Sequence, residues 1–248
     1  MKKNILTFLL LTTASAFSWT HVSSNIKGWN TKKLTFYVNP SLCTLPETTL
    51  NDILDAAINA WNGIPYSGLE LSRSSTAVTT TVDEFNAITA AQVPVILCDP
   101  NMAQADFIPG ATTNTRANSS GNIIYSGILL NANPSGSAEI SNLSRGELEV
   151  TIAHEIGHVL GLGHSSDSQS LMYFTIGAKT AAILTQDDMD GIAQIYPQSD
   201  FSGGGFGCSA VHMTGKNPTF FWFWTGLLML CAIVFLFRKR GIKFEPLP

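Results

Sequence analysis

Leu50, Ile53, Leu54, Ala57, Ile58 and Trp61 fall at i, i+3, i+4, i+7, i+8 and i+11, the spacing of one buried helical face. Thr44 and Glu47 predict a capping box ahead of this helix, and Pro46 suits its first turn. Upstream, residues 33–38 (KLTFYV) are β-branched and aromatic and stop at Asn39-Pro40, which predicts a strand. Residues 93–97 and 122–130 also have strand composition, the second run closing at Asn131 and Pro134. Most of residues 72–92, rich in Ser, Thr and Ala without a clear period, read as loop. A second helix is predicted from Ser144, which forms a capping box with Glu147, through Leu160. A third begins at Thr185, with Asp187 and Asp188 in the first turn where the helix dipole favours them. Its apolar residues Met189, Ile192, Ala193 and Tyr196 face one side, and Pro197 ends it. No internal repeat is visible.

The two ends of the chain follow other rules. Lys2 and Lys3, an apolar run over 5–11 and the small residues Ala14-Ser15-Ala16 predict a signal peptide over 1–16, with Phe17 first after cleavage. Residues 220–237 are an 18-residue run without charge, followed at once by Arg238-Lys239-Arg240. That pattern predicts a transmembrane segment with a basic cytoplasmic tail over 238–248. A buried core helix is the alternative, and a run apolar on every face argues against it. Residues 198–219, Ser/Gly-rich at their start and carrying a Gly/Cys motif, predict a linker. One exported catalytic domain is then expected over 17–197.

Composition narrows the function. The 248 residues are 45% hydrophobic, enough for one domain core. A net charge of -4, with no Lys/Arg cluster before the last dozen residues, argues against a nucleic-acid footprint, which needs a basic face. Of four cysteines, Cys43 and Cys98 lie in the exported domain, where an oxidising compartment lets them pair as a disulfide. Cys231 lies inside the apolar run.

The chemistry is concentrated in residues 154–164. On a helix, His154 and His158 are four apart and can converge on one ion. Glu155 is one step of about 100° away, which puts its carboxylate beside the metal and not on it. A continued helix would carry His164 about 9 Å along the axis and onto another face. Gly161 removes that obstacle, because a glycine can take positive φ, end the helix and turn the chain back. Three histidine ligands leave a fourth position open for water, the arrangement of a catalytic zinc site. Leu148, Ile152, Ile156 and Val159 face away from the histidines and tie the site to the core. HExxH alone recurs by chance. A glycine and a histidine at the added positions, given 5 histidines in 248 residues, lower the odds by a factor of roughly a thousand.

His154, Glu155, His158, Gly161 and His164 match every fixed position of HExxHxxGxxH, and the chain here resembles the metzincin zinc peptidases. Ser165 after the third histidine, Leu171-Met172-Tyr173 and the run LTQDDMDGIAQIY over 184–196 are similar to the matrixin, matrix-metalloproteinase-like branch. The resemblance is strong from about 148 to 196 and holds in outline from 28 to 131. It implies an α+β, zincin-like domain: a twisted mixed β-sheet, an active-site helix, one helix on its N-terminal side and one C-terminal helix. It implies one catalytic Zn2+ on His154, His158 and His164, and endopeptidase activity on proteins or peptides through a zinc-bound water with Glu155 as general base. It implies too that Met172 forms an apolar floor under the histidines and that Asp187 and Asp188 help anchor its turn, a plain helix N-terminus being the other reading of each. A structural Ca2+ has no ligand set legible in the sequence. A substrate strand is expected to pair beside residues 123–130, read as the sheet edge.

Departures from the family pattern are also visible. No cysteine-switch motif fits between Phe17 and the first strand, and no histidine lies between His21 and His154 to build a second zinc site. Phe174-Thr175-Ile176 stand where family members carry a proline and then a tyrosine, and Tyr173 comes one residue too early for an astacin-type ligand. Two other functions fit the same residues, a membrane-tethered zinc-containing binding module without turnover and a zinc amidohydrolase acting on a non-peptide amide. Retention of Glu155 weighs against the first. At the far end, the Gly/Cys motif over 203–209, the apolar run and the basic triplet resemble the C-terminal sorting signals of bacterial surface proteins. That resemblance implies cleavage near Cys208 and lipidation of that cysteine, against a permanent anchor as the alternative.

Overall fold

The computed structural model describes residues 19–87, 93–102 and 111–198. The predicted signal peptide, the linker with Cys208, the apolar run with Cys231 and the basic tail lie outside those residues. Among the described residues no helix is long and apolar enough to cross a membrane.

Six strands form one sheet: β1 (Gly28–Trp29), β2 (Lys33–Asn39), β3 (Glu70–Arg73), β4 (Val95–Asp99), β5 (Ala111–Ala117) and β6 (Asn122–Asn131). Their order is β1-β6-β4-β2-β3 with all neighbours parallel, and β5 pairs antiparallel with β6. β2 buries alternate residues, Leu34, Phe36 and Val38, as a strand with one covered face must. β4 is buried at all five positions. Its Ile96 and Cys98 enter the main core, and its Val95 and Leu97 enter a second cluster with Phe85, Met102, Tyr125 and Leu129 on the other face. A bulge sets Arg116 opposite Tyr125 and Ala117 opposite Ile123, leaving Ile124 as the extra residue. It reverses the alternation, so Ile123 joins the main core while Tyr125 joins the second cluster.

The helices lie where their periodicity places them. α1 (Glu47–Asn59) buries Leu50, Ile53, Leu54, Ala57 and Ile58, with Trp61 just beyond. The capping box predicted at Thr44 does not form: Pro46 is the N-cap and has no side-chain cap, and the Thr44 hydroxyl donates to Glu139 across the fold. α3 (Arg145–Val159) and α4 (Gln186–Ile195) do start with capping boxes, Ser144 with Glu147 and Thr185 with Asp188. A short α2 (Val82–Ala87) and β3 occupy part of the stretch read as loop. Here Phe85, 1% exposed, pins α2 over the second cluster. β5 corrects a further expectation. Residues 123–130 are not the sheet edge, because β5 pairs along them and takes that position itself.

Candidate functional site

The site is built on the C-terminal half of α3. Leu148, Ile152, Ile156 and Val159 are each at most 1% exposed, so one face of the helix is locked into the core and the opposite face is held rigidly at the cleft. His154 and His158 project there with ring centroids 4.8 Å apart. After Val159 the helix closes on Gly161, whose φ is +103°. The Gly161 N–H donates to the His158 carbonyl and the Leu162 N–H to the Gly157 carbonyl, each at 3.0 Å, the pair of bonds of a Schellman ending. The chain then reverses and His164 comes within 5.4 Å of His154 and 4.9 Å of His158, centroid to centroid. One nitrogen from each of the three rings lies within 4.8 Å of the others, close enough to share an ion.

Two of the rings are aimed by main-chain carbonyls. His154 Nδ1 donates to Leu171 O at 2.7 Å and His158 Nδ1 to Leu162 O at 2.8 Å, which fixes the tautomer and leaves each Nε2 as the electron-pair donor. Burial, and then the neighbouring His158, push the His154 pKa down to about 4, so the ring is neutral at physiological pH. Burial is also the main cause that lowers His158 and His164; for His164, the Glu155 carboxylate works the other way. Three neutral imidazoles with clustered lone pairs suit a borderline-soft divalent cation such as zinc. Glu155 is partly exposed and lines the same cleft beside the histidines.

The returning loop has a brace that the sequence did not reveal. Thr20 O accepts from Gly163 N at 2.7 Å, Val22 N donates to Gly161 O at 2.9 Å, and the Thr20 hydroxyl donates to His164 O at 2.8 Å. These are main-chain pairings and a single hydroxyl just past the predicted signal peptide, and no pattern of residue types announces them. His21, from the same segment, lines the cleft.

The turn at Met172 is tied from α4. Asp188, 0% exposed, accepts from Ser170 Oγ at 2.5 Å, Leu171 N at 2.9 Å and Met172 N at 3.1 Å, while also capping α4 at Thr185. The anchor and the helix N-terminus are thus one role. Asp187 accepts from Ser165 Oγ at 2.7 Å and from Trp19 N at 3.0 Å, tying the segment after the third histidine to the N-terminal strap. Met172 is 1% exposed and its thioether lies directly against α3, where a Cβ on Gly157 would stand 2.2 Å from the sulfur. Away from the cleft, Cys43 and Cys98 are disulfide-bonded, with Cα atoms 5.1 Å apart.

A cleft of about 1150 Å3 surrounds the histidines. Asn114 and Thr115 of β5 form one wall, and Phe174, Thr175 and Ile176 form part of another, so the departure from the family pattern falls on residues that touch the cleft.

A family model described as matrixin matches residues 28–197, well over half of the chain. The chain is 53% identical over 51 residues to Metalloendoproteinase 1 of Glycine max and, over an equal length, to Metalloendoproteinase 2-MMP of Arabidopsis thaliana. It is 46% identical over 59 residues to an interstitial collagenase of Bos taurus. These matches take in 20%, 20% and 24% of this chain and only 17%, 14% and 13% of the relatives. The chain therefore spans less than a fifth of the length of the curated relatives it matches.

Proposed function

Because the chain belongs to the matrixin family, we propose that it is a zinc-dependent endopeptidase that hydrolyses peptide bonds of extracytoplasmic proteins. The observation that carries this reading is the convergence of His154, His158 and His164 with Glu155 in one cleft. His154, His158 and His164 would hold the zinc, which when bound would supply Lewis acidity for the scissile carbonyl and for the attacking water. The remaining roles belong to the chain. Hydrogen bonds donated by His154 Nδ1 and His158 Nδ1 to the Leu171 and Leu162 carbonyls hold the two ligand rings with Nε2 toward the metal position. Glu155 takes the proton from the attacking water and hands it to the departing amine. β5, paired on one side only among the described residues, offers its free edge to an extended substrate. Glycine at 161 and methionine at 172 support the ligand set without joining it.

Export through the signal peptide 1–16, and tethering through the linker 198–219 and the apolar run 220–237, complete the proposal. The N-terminal charges and apolar run, the C-terminal run and its basic triplet support this part. Cys208 is the proposed site of processing or lipidation; the intact mass of the mature protein tests this, since retention of residues 220–248 leaves a simple anchor. The activity is tested with a mixed peptide library and product mapping by mass spectrometry. Cleavage that a chelator abolishes and zinc restores is expected. Hydrolysis that persists under chelation, or is confined to non-peptide amides, contradicts the reading.

A further inference from the structure

Glu147, Thr151, His154 and His158 stand at i, i+4, i+7 and i+11 along α3, so they form one stripe, and all four line the cleft. Seven residues separate Glu147 from His154, about 10 Å of helix rise. Facing this stripe is the segment that leaves the Met172 turn, with Thr175 and Ile176 on the same cleft. That segment then drops onto the first turn of α3. A Cβ on Gly146 would lie 2.4 Å from the Thr180 carbonyl oxygen, an approach that needs glycine. Helix and loop thus flank the part of the cleft that runs from His154 to Glu147, whose side chain is exposed at its outer end.

The charge in this part of the cleft is one-sided. Among the described residues lining the cleft, Glu147 and Glu155 are the only carboxylates, and none is Lys or Arg. Lys179, on the loop after the Met172 turn, is close enough for its charge to help burial lower the His154 pKa, but its Nζ does not line the cleft: it donates to Ser168 O at 3.0 Å and sits 5.7 Å from the centre of the Tyr173 ring. Arg145 reaches the Asp52 carbonyl at 3.5 Å. Glu147 itself is held in place, because its Oε2 accepts from Ser144 N at 2.8 Å in the capping box. It takes no part in the ion pairs Lys33–Glu70 and Arg73–Asp55.

Resting on the peptidase reading above, we propose that Glu147 is a specificity-determining residue, selecting substrates with lysine or arginine beside the scissile bond. The aliphatic stem of such a side chain fits along Thr151 and Ile176, and its cation reaches the Glu147 carboxylate at the far end. An acidic side chain in the same place meets Glu147 ahead of it and Glu155 behind it, and is rejected.

The test compares wild type with Glu147→Gln and Glu147→Lys on a peptide library and on matched peptides carrying Lys, Leu or Glu at the selected position. Glutamine at the third helical position still completes the capping box, so Glu147→Gln removes the charge and keeps the helix start. Wild type is expected to enrich Lys and Arg, and to exclude Asp and Glu, at one position flanking the cleaved bond. The Glu147 carboxylate is exposed, so the kcat/KM ratio of the Lys to the Leu peptide should fall in Glu147→Gln by up to about fivefold, the upper value of an exposed ion pair. Glu147→Lys should move the preference toward Glu. Cleavage without a basic preference, or a Lys/Leu ratio that Glu147→Gln leaves unmoved, removes this role while leaving the peptidase intact. Failure to cleave any peptide overturns the peptidase reading, and this proposal with it.

Discussion

Whether His164 can serve beside His154 and His158 is decided at residue 161. A Cβ there would meet only ordinary contacts, Gly28 Cα and Ile26 Cγ2 at 3.5 Å, so space does not demand glycine; the φ of +103° does. Gly161→Val is therefore expected to weaken zinc binding at least about tenfold through backbone strain, although residue 161 is no ligand. Competition with a chromophoric chelator measures it, and unchanged affinity contradicts the account of how His164 arrives. This turn was legible in the sequence, since the spacing leaves His164 no other way to the metal. The state of the ligands was not, because burial is a tertiary property. With the His154 pKa at about 4 in the fold against roughly 6.5 unfolded, the unfolded chain binds a proton between those values that the folded chain refuses. Metal-free protein should thus keep its full stability above about pH 6.5. It should lose up to about 3 kcal/mol from this group as pH falls toward 4. His158 and His164 shift in the same direction. Urea melts of metal-free protein across this range check the sign, and stability that rises on acidification refutes it.

Among elements, the three long helices could be read from the sequence because each repeats an apolar face over several turns and two carry capping boxes that form. β5 could not be: its sequence ATTNTRA has no apolar alternation, and it becomes a strand through pairing with β6. The edge was misplaced for the same reason, since position in a sheet depends on partners distant in sequence. Thr44 failed as a cap because the Glu139 carboxylate, 95 residues away, takes its hydroxyl. Asp188 had two sequence readings, helix N-terminus and turn anchor, and it performs both. Five donor groups converge on its two oxygens: Ser170 Oγ and Met172 N on Oδ1, and Leu171 N, Thr185 N and Thr185 Oγ1 on Oδ2. Asp188→Asn sets an amide NH2 against some of those donors and is expected to cost about 3 kcal/mol. It should also weaken zinc binding, because the Leu171 carbonyl that aims His154 belongs to the turn that Asp188 holds. Equal denaturation midpoints for the variant and wild type would remove Asp188 as the anchor.

For the whole molecule, the core packs α1 and α3 on one face of the sheet and a smaller cluster under α2 on the other, so the cleft rests on a scaffold covered on both sides. The Cys43–Cys98 bond joins the segment before α1 to β4 across a separation of 55 residues. Loop-closure entropy gives such a crosslink about 4 kcal/mol. Reduction should lower the melting midpoint without dislodging zinc; free thiols at both positions in the native protein would contradict the pairing. The central claim is that the three histidines hold zinc and Glu155 moves the proton. Glu155→Gln separates the two roles, because the amide keeps the shape of the side chain and loses the base. The decisive measurement is zinc content and peptide turnover on the same preparation of that variant. The account predicts one zinc per chain, as in wild type, with turnover lower by about three orders of magnitude or more. Turnover at the wild-type rate with zinc still bound would contradict it.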